Sequence, residues 1–263
     1  MKIGIFDSGL GGLIIAKAIF KFLPKYDYVY FGDTKNLPYG EKSPKQIYEF
    51  TKAGVDFLFK QNCQIVILAC NTASALALRR IQQDYLPKFY PNRRVLGVVI
   101  PTLEEANPKN KKIAVIGTTA TINSHIYKKE LVKINSQTKI FEIPTPDLVP
   151  LIEQNSLQKA KKSLESYLKP FIKQGLNALI LGCTHYPLLK EICKNVLGEK
   201  VKIISQDEII PFKLQNYIKR HREISKVIGQ NKSRDFFVSK INKNFLLIVR
   251  KFFNKIKLNL YEP

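Results

Sequence analysis

Short apolar runs alternating with stretches of helical periodicity limit what this chain can fold into more than any other feature. The runs cover residues 2–7 (KIGIFD), 28–33 (YVYFGD), 64–70 (QIVILAC), 94–99 (RVLGVV), 112–118 (KIAVIGT), 178–183 (ALILGC) and 200–205 (KVKIIS). Several are apolar on both faces, as parallel strands are when helices cover each side of their sheet. Helices are expected over 11–22, 44–61, 73–84, 123–134, 156–174 and 187–197. This β-then-α order predicts an α/β architecture with right-handed crossovers.

Bulk properties narrow the class. With 263 residues, 45% of them hydrophobic, the chain can bury a sizeable core as one large domain or two modest ones. Asp7 interrupts the apolar start that a signal peptide needs, and runs such as 245–249 fall far short of the ~20 residues of a membrane helix. A soluble, cytoplasmic protein with no membrane partner is expected. Four cysteines are too sparse for a secreted disulfide scaffold. The net charge of +22 admits nucleic acid as a partner. However, the excess is mostly lysine scattered on helix faces, alongside abundant Ile, Asn, Phe and Tyr and no Trp, which fits AT-rich codon usage. No block of about 5 to 8 consecutive basic residues is present, so nucleic-acid binding is not indicated.

Pro101, Pro108 and the NPKNKK run at 107–112 read as a linker, and Ile209 to Pro211 as a second crossing. In open α/β sheets, ligands bind at the carboxyl ends of the strands. Two strand ends share one form: QIVILACNTAS carries Cys70, and ALILGCTHYP carries Cys183. They would face each other across a cleft between domains.

Each of these cysteines precedes an expected helix, whose positive end favours thiolate and lowers a thiol from its usual value of about 8.5. Asn71, Thr72 and Thr184 add hydrogen-bond donors suited to carboxylate oxygens. The plain alternative is a buried apolar cysteine, which is harder to sustain for two matched turns than for one. Zinc is disfavoured, because residues 63, 70, 183 and 193 form no C-x₂-C pair and Cys183 with His185 lacks ligand spacing. A Cys–His hydrolase would need His185 to reach Cys183 from the i+2 position, an awkward geometry. Cys63 and Cys193 read as helical packing residues, and His125 and His221 as ordinary surface or helix residues. The turn Asp7-Ser8-Gly9-Leu10-Gly11-Gly12 opens the first helix, either as an anion-binding loop or as a tight turn capped by Asp7 or Ser8. Two opposed thiols suit one reaction in particular, removal of a proton from one face of a carbon and its return to the other.

The sequence resembles the glutamate racemase family of the aspartate/glutamate racemase superfamily. The matching pieces are IGIFDSGLGG (3–12), YFGDTKNLPYGEKS (30–43), ACNTASALAL (69–78), VIGTTATINSHIY (115–127), VPLIE (149–153) and LGCTHYPLL (181–189), with RDFFVS and its following helix near the C-terminus. The resemblance implies two similar parallel-sheet α/β domains with the active site between them. One comprises residues 1–97 plus 210–263, the other 98–209. It implies cofactor-independent, metal-free racemisation of L- and D-glutamate that supplies D-glutamate for peptidoglycan. Cys70 would act on the D-glutamate face and Cys183 on the L-glutamate face, with Asp7 assisting the first and His185 the second. Glu153 and Asp33 match further acidic residues around the site. Substrate contacts would come from Asp7, Ser8, Tyr39, Gly40, Asn71, Thr72, Thr184 and His185. A homodimer is implied. Some members also bind DNA gyrase or an activating peptidoglycan precursor, and neither is indicated here. Departures from the pattern are Ile100 before Pro101, the IPTPD lead-in to VPLIE, and ISQDEII near 203–210; none touches the two cysteine turns.

Overall fold

The computed structural model describes residues 1–106, 112–241, 246, 249, 253 and 258–261. Two parallel sheets organise them. The first has six strands in the order β10-β9-β2-β1-β3-β4. These are β1 (Lys2–Asp7), β2 (Tyr28–Gly32), β3 (Cys63–Leu68), β4 (Arg94–Gly97), β9 (Arg234–Val238) and β10 (Leu258–Leu260). The second has the order β6-β5-β7-β8, from β5 (Lys112–Gly117), β6 (Lys139–Pro144), β7 (Ala178–Gly182) and β8 (Lys202–Ile204).

The central strands are buried on both faces because their middle positions are apolar on both sides. In β1, Ile3 and Ile5 pack into one helix-covered core while Phe6 packs into the other. The second sheet repeats the device, with Ala114 and Ile116 on one side and Ile113 and Val115 on the other. Each fully buried side chain of this size contributes about 1.5–3 kcal/mol of transfer free energy. Parallel registers such as Asp7 with Gly32 and Gly117 with Gly182 bring strand carboxyl ends level, so the loops beyond them converge.

Several sequence expectations change. The run at 94–99 is a strand only to Gly97, and the helix Val99–Ala106 begins at once. Pro101 lies in that helix's first turn, where a missing N–H costs nothing, rather than in a linker. The remainder of the expected linker, 107–111, lies outside the described residues. Ile209 to Pro211 sit inside the helix Gln206–Arg220, so this passage between sheets is helical. The helix expected over 73–84 is divided into Asn71–Leu76, Leu78–Arg80 and a π-turn, Ile81–Tyr85. That over 123–134 is broken at His125, whose φ of 54° is left-handed. In the 156–174 stretch the α-helix ends at Leu168, and Pro170 lies in the 3₁₀ segment that follows. Cys63 opens β3 rather than ending a helix, though it is fully buried as packing. Cys193 is buried in the helix Lys190–Leu197. Among the described residues, no helix is long and apolar enough to cross a membrane. The segment after β9 lies mostly outside the described residues.

Candidate active site

One cleft is lined from both sheets. The first sheet supplies Ser8, Tyr39, Gly40, Cys70, Asn71 and Thr72, and the second supplies Thr118, Thr119, Cys183, Thr184 and His185. Leu37, Pro38, Val149 and Pro150 add apolar wall. No Lys or Arg is among these lining residues, so an anion bound here meets hydroxyls, backbone N–H groups and the His185 ring. The close approach of the two halves requires glycine at two points. A Cβ on Gly11 would lie 2.3 Å from Thr184 Oγ1 and 2.7 Å from His185 Nδ1, and one on Gly40 would lie 2.8 Å from Thr118 Cβ.

Around Cys70 the groups come from the first sheet. Cys70 is the N-cap of the helix Asn71–Leu76, and its Sγ accepts from the Ala73 N–H at 3.5 Å and contacts Ser8 Oγ at 3.3 Å. Burial, reinforced by the nearby Asp7 carboxylate, pushes the Cys70 thiol up to about 12. The lowering expected from the helix terminus is therefore reversed. Its six-residue helix and the Ser8 hydroxyl are outweighed by desolvation and a neighbouring negative charge. Asp7 ends β1 and is fully buried. Its Oδ2 accepts from Gly9 N–H at 2.9 Å, and its Oδ1 accepts from Thr184 Oγ1 at 3.3 Å, a link between the two halves. Burial raises its carboxyl above the ordinary range, against the opposing pull of His185 and the Gly9 and Gly12 N–H groups. Neither Asp7 nor Ser8 caps the helix Gly12–Phe22, which has no side-chain cap.

Around Cys183 the arrangement differs. Its turn leads into a 3₁₀ segment, Tyr186–Leu189, before the helix Lys190–Leu197. His185 Nδ1 lies 3.7 Å from Cys183 Sγ, and Nε2 lies 3.0 Å from Glu153 Oε1. The i+2 spacing thus allows the contact that seemed awkward in sequence, because the chain turns tightly there and His185 has helical φ and ψ of −81° and −24°. Burial alone would lower the His185 imidazolium, yet its bonds to Cys183 and Glu153 prevail and hold it well above the ordinary histidine range.

The three acidic residues lie behind the cleft wall and act through others. Glu153 backs His185, and Asp7 backs the Ser8 and Thr184 turns. Asp33 holds Tyr39, whose hydroxyl donates to Asp33 Oδ2 at 2.7 Å, while Ser239 Oγ donates to Oδ1 at 2.8 Å. Thr72 joins Thr118 and Thr121 in a hydroxyl triangle with edges of 2.9 to 3.0 Å, closing the two halves together. Thr118 and Thr119, absent from the sequence-derived site, follow β5. They form a third strand-to-helix turn, recognisable from the strand end and the two adjacent threonines. His125 pairs with Glu142 at an exposed position, and His221 stacks on Tyr217, both away from the cleft.

The model of the Asp/Glu/Hydantoin racemase family matches residues 14–208. The chain belongs to this family. A glutamate racemase of Aquifex pyrophilus is 43% identical over 223 residues, covering 83% of this chain and 84% of that one. A crystal structure of a glutamate racemase isoform from Bacillus anthracis superimposes with a TM-score of 0.89 at 32% identity, covering 99% of this chain and 97% of that one. A glutamate racemase from Francisella tularensis in complex with D-glutamate gives 0.88 at 30% identity, with 99% and 97% coverage. The racemase fold accounts for both sheets, and the cleft between them is its candidate site.

Proposed function

We propose that this protein interconverts L- and D-glutamate by a two-base mechanism without a cofactor, with Cys70 and Cys183 acting on opposite faces of the α-carbon. The observation that carries this reading is the unlike setting of two cysteines lining one cleft. Cys70 is held as a thiol by burial and the Asp7 charge. Cys183 Sγ lies 3.7 Å from Nδ1 of His185, a ring held protonated by its bonds to Cys183 and Glu153. The two-base reading needs a thiol at Cys70 and a thiolate at Cys183 before L-glutamate reacts. In this state Cys183 removes the α-proton of L-glutamate, and Cys70 delivers its own proton to the other face. The resulting thiol at 183 and thiolate at 70 suit D-glutamate, and the reverse turnover restores the first state.

The α-proton is far less acidic than a thiol, so the developing carbanion and both carboxylates need fixed donors. Ser8, Thr72 and Thr118 hydroxyls supply them, with the first N–H groups of the helix Asn71–Leu76, which lack intrahelical partners. Tyr39 and Gly40 close the wall opposite. Glu153 keeps His185 charged, and Asp7 opposes thiolate at Cys70 until substrate binds. The role we assign is supply of D-glutamate for peptidoglycan in the cytoplasm, by a homodimer whose first domain comprises residues 1–97 and 210–263 and whose second comprises 98–209. Similarity to the named racemases supports glutamate as substrate.

The test is incubation of the folded protein with L-glutamate and L-aspartate in deuterated water, without pyridoxal phosphate or metal. Deuterium enters the α-position of glutamate and racemic glutamate accumulates. Exchange with aspartate alone would replace the substrate, and exchange with neither would overturn the reading.

A further inference from the structure

Behind Cys70 lies a buried polar network that the cysteine chemistry does not use directly. Asn71 Nδ2 donates to Gln206 Oε1 at 2.8 Å, while Asn71 Oδ1 accepts from Gln206 Nε2 at 2.7 Å and from the Tyr127 hydroxyl at 2.6 Å. This reciprocal pair fixes both amides, because turning either over would set N–H against N–H and oxygen against oxygen. Gln206 is 1% exposed, and its Nε2 also reaches Thr102 Oγ1 at 3.3 Å.

The topology gives the network its importance. Thr102 lies in the helix Val99–Ala106, where the chain leaves the first sheet, and Gln206 opens the helix Gln206–Arg220, where it leaves the second. Tyr127 belongs to the helix Ile126–Ile134 and is packed in the core of the second sheet. Both passages between the halves are thus tied to the residue that follows Cys70. The Tyr127 hydroxyl is the other link from the Asn71 amide to the second half.

We propose that Gln206 is a positioning residue for the Cys70 half of the reaction. Through the Asn71 amide it holds the first turn of the helix Asn71–Leu76, and with it Cys70 Sγ and the Ala73 N–H, in register with the opposite half of the cleft. The inference rests on the two-thiol reading above. Proton transfer needs sulfur and carbon at near-attack separation, so a small displacement of Cys70 alone slows the steps it performs.

Three variants separate this role from packing. Gln206→Met keeps the shape and removes both amide bonds. Gln206→Glu keeps the acceptor for Asn71 Nδ2 but sets oxygen against Asn71 Oδ1. Thr102→Val removes only the hydroxyl on the far side of Gln206. Peptide-resolved alkylation by iodoacetamide measures Cys70 against Cys183, and α-deuterated glutamate gives the isotope effect from each enantiomer. Both Gln206 variants are expected to lower kcat roughly tenfold or more and to change the Cys70-to-Cys183 alkylation ratio at least about threefold, with Thr102→Val within about twofold of the parent. The isotope effect should rise for the enantiomer deprotonated by Cys70 and fall for the other. An unchanged alkylation ratio, or a Thr102→Val defect equal to that of Gln206→Met, overturns the proposal. Should Gln206→Met fail to fold, the ratio in Gln206→Glu decides. A parent protein that racemises nothing would remove the proposed function, whereas the alkylation ratio reports on the placement of Cys70 in either case.

Discussion

Glu153 Oε1 stands 3.0 Å from His185 Nε2, and the other ring nitrogen of His185 faces Cys183 Sγ at 3.7 Å. The carboxylate outside the cleft thereby sets the charge of a ring inside it. Because the folded His185 is held above its unfolded value of about 6.5, this charged arrangement stabilises the fold fully below that pH and is lost as pH rises through the folded value. Glu153→Gln removes the charge behind the ring. It should move the alkaline loss of activity to lower pH and reduce kcat by about tenfold to a hundredfold. Imidazole NMR titration and pH–rate profiles check both.

The Asp33 side chain reaches the cleft through Tyr39, which also packs against Phe6 and Phe50. Asp33→Asn should raise KM for glutamate several-fold, about 1 kcal/mol for one weakened charge-assisted bond, with a smaller change in kcat. Steady-state kinetics with both enantiomers distinguish this from loss of a base, which would lower kcat foremost.

Gly11, in the turn after β1, lies directly against the Cys183 turn. Gly11→Ala places a methyl group against Thr184 and His185, so the halves must separate or His185 must move. Overpacking of this kind costs about 1–3 kcal/mol. Activity should fall at least about a hundredfold, given that displacement of about 1 Å can cost that much. Thermal unfolding measured alongside the kinetics will show a drop of a few degrees rather than loss of the fold.

Which features were legible in the sequence follows from where each signal resides. Strands β1, β3, β5 and β7 announce themselves because both faces are apolar, and the ends of β3 and β7 carry the cysteine turns. Edge strand β6 does not, since KIFEIP is only partly buried and mixes charge with apolar residues. Pro211 made a helix look like a crossing. The approach of His185 to Cys183 depends on a turn geometry that residue spacing does not encode. The raised thiol of Cys70 depends on burial and on Asp7, which is distant in sequence and brought close by the pairing of β1 with β3. Gln206 was missed for the same reason, as its partners lie on other elements.

The opposed action of Cys70 and Cys183 is tested most directly by following where deuterium goes at the start of the reaction. With L-glutamate in deuterated water, newly formed D-glutamate should carry deuterium at the α-carbon while the remaining L-glutamate keeps protium. Two separate thiols remove one hydrogen and deliver another, and Cys70→Ser or Cys183→Ser should each abolish the conversion. Because the enantiomers have equal free energy in solution, any surviving variant must lose kcat/KM equally in both directions. Protium retained in the product, deuterium entering L-glutamate as fast as D-glutamate forms, or full activity in either serine variant would contradict the two-thiol mechanism.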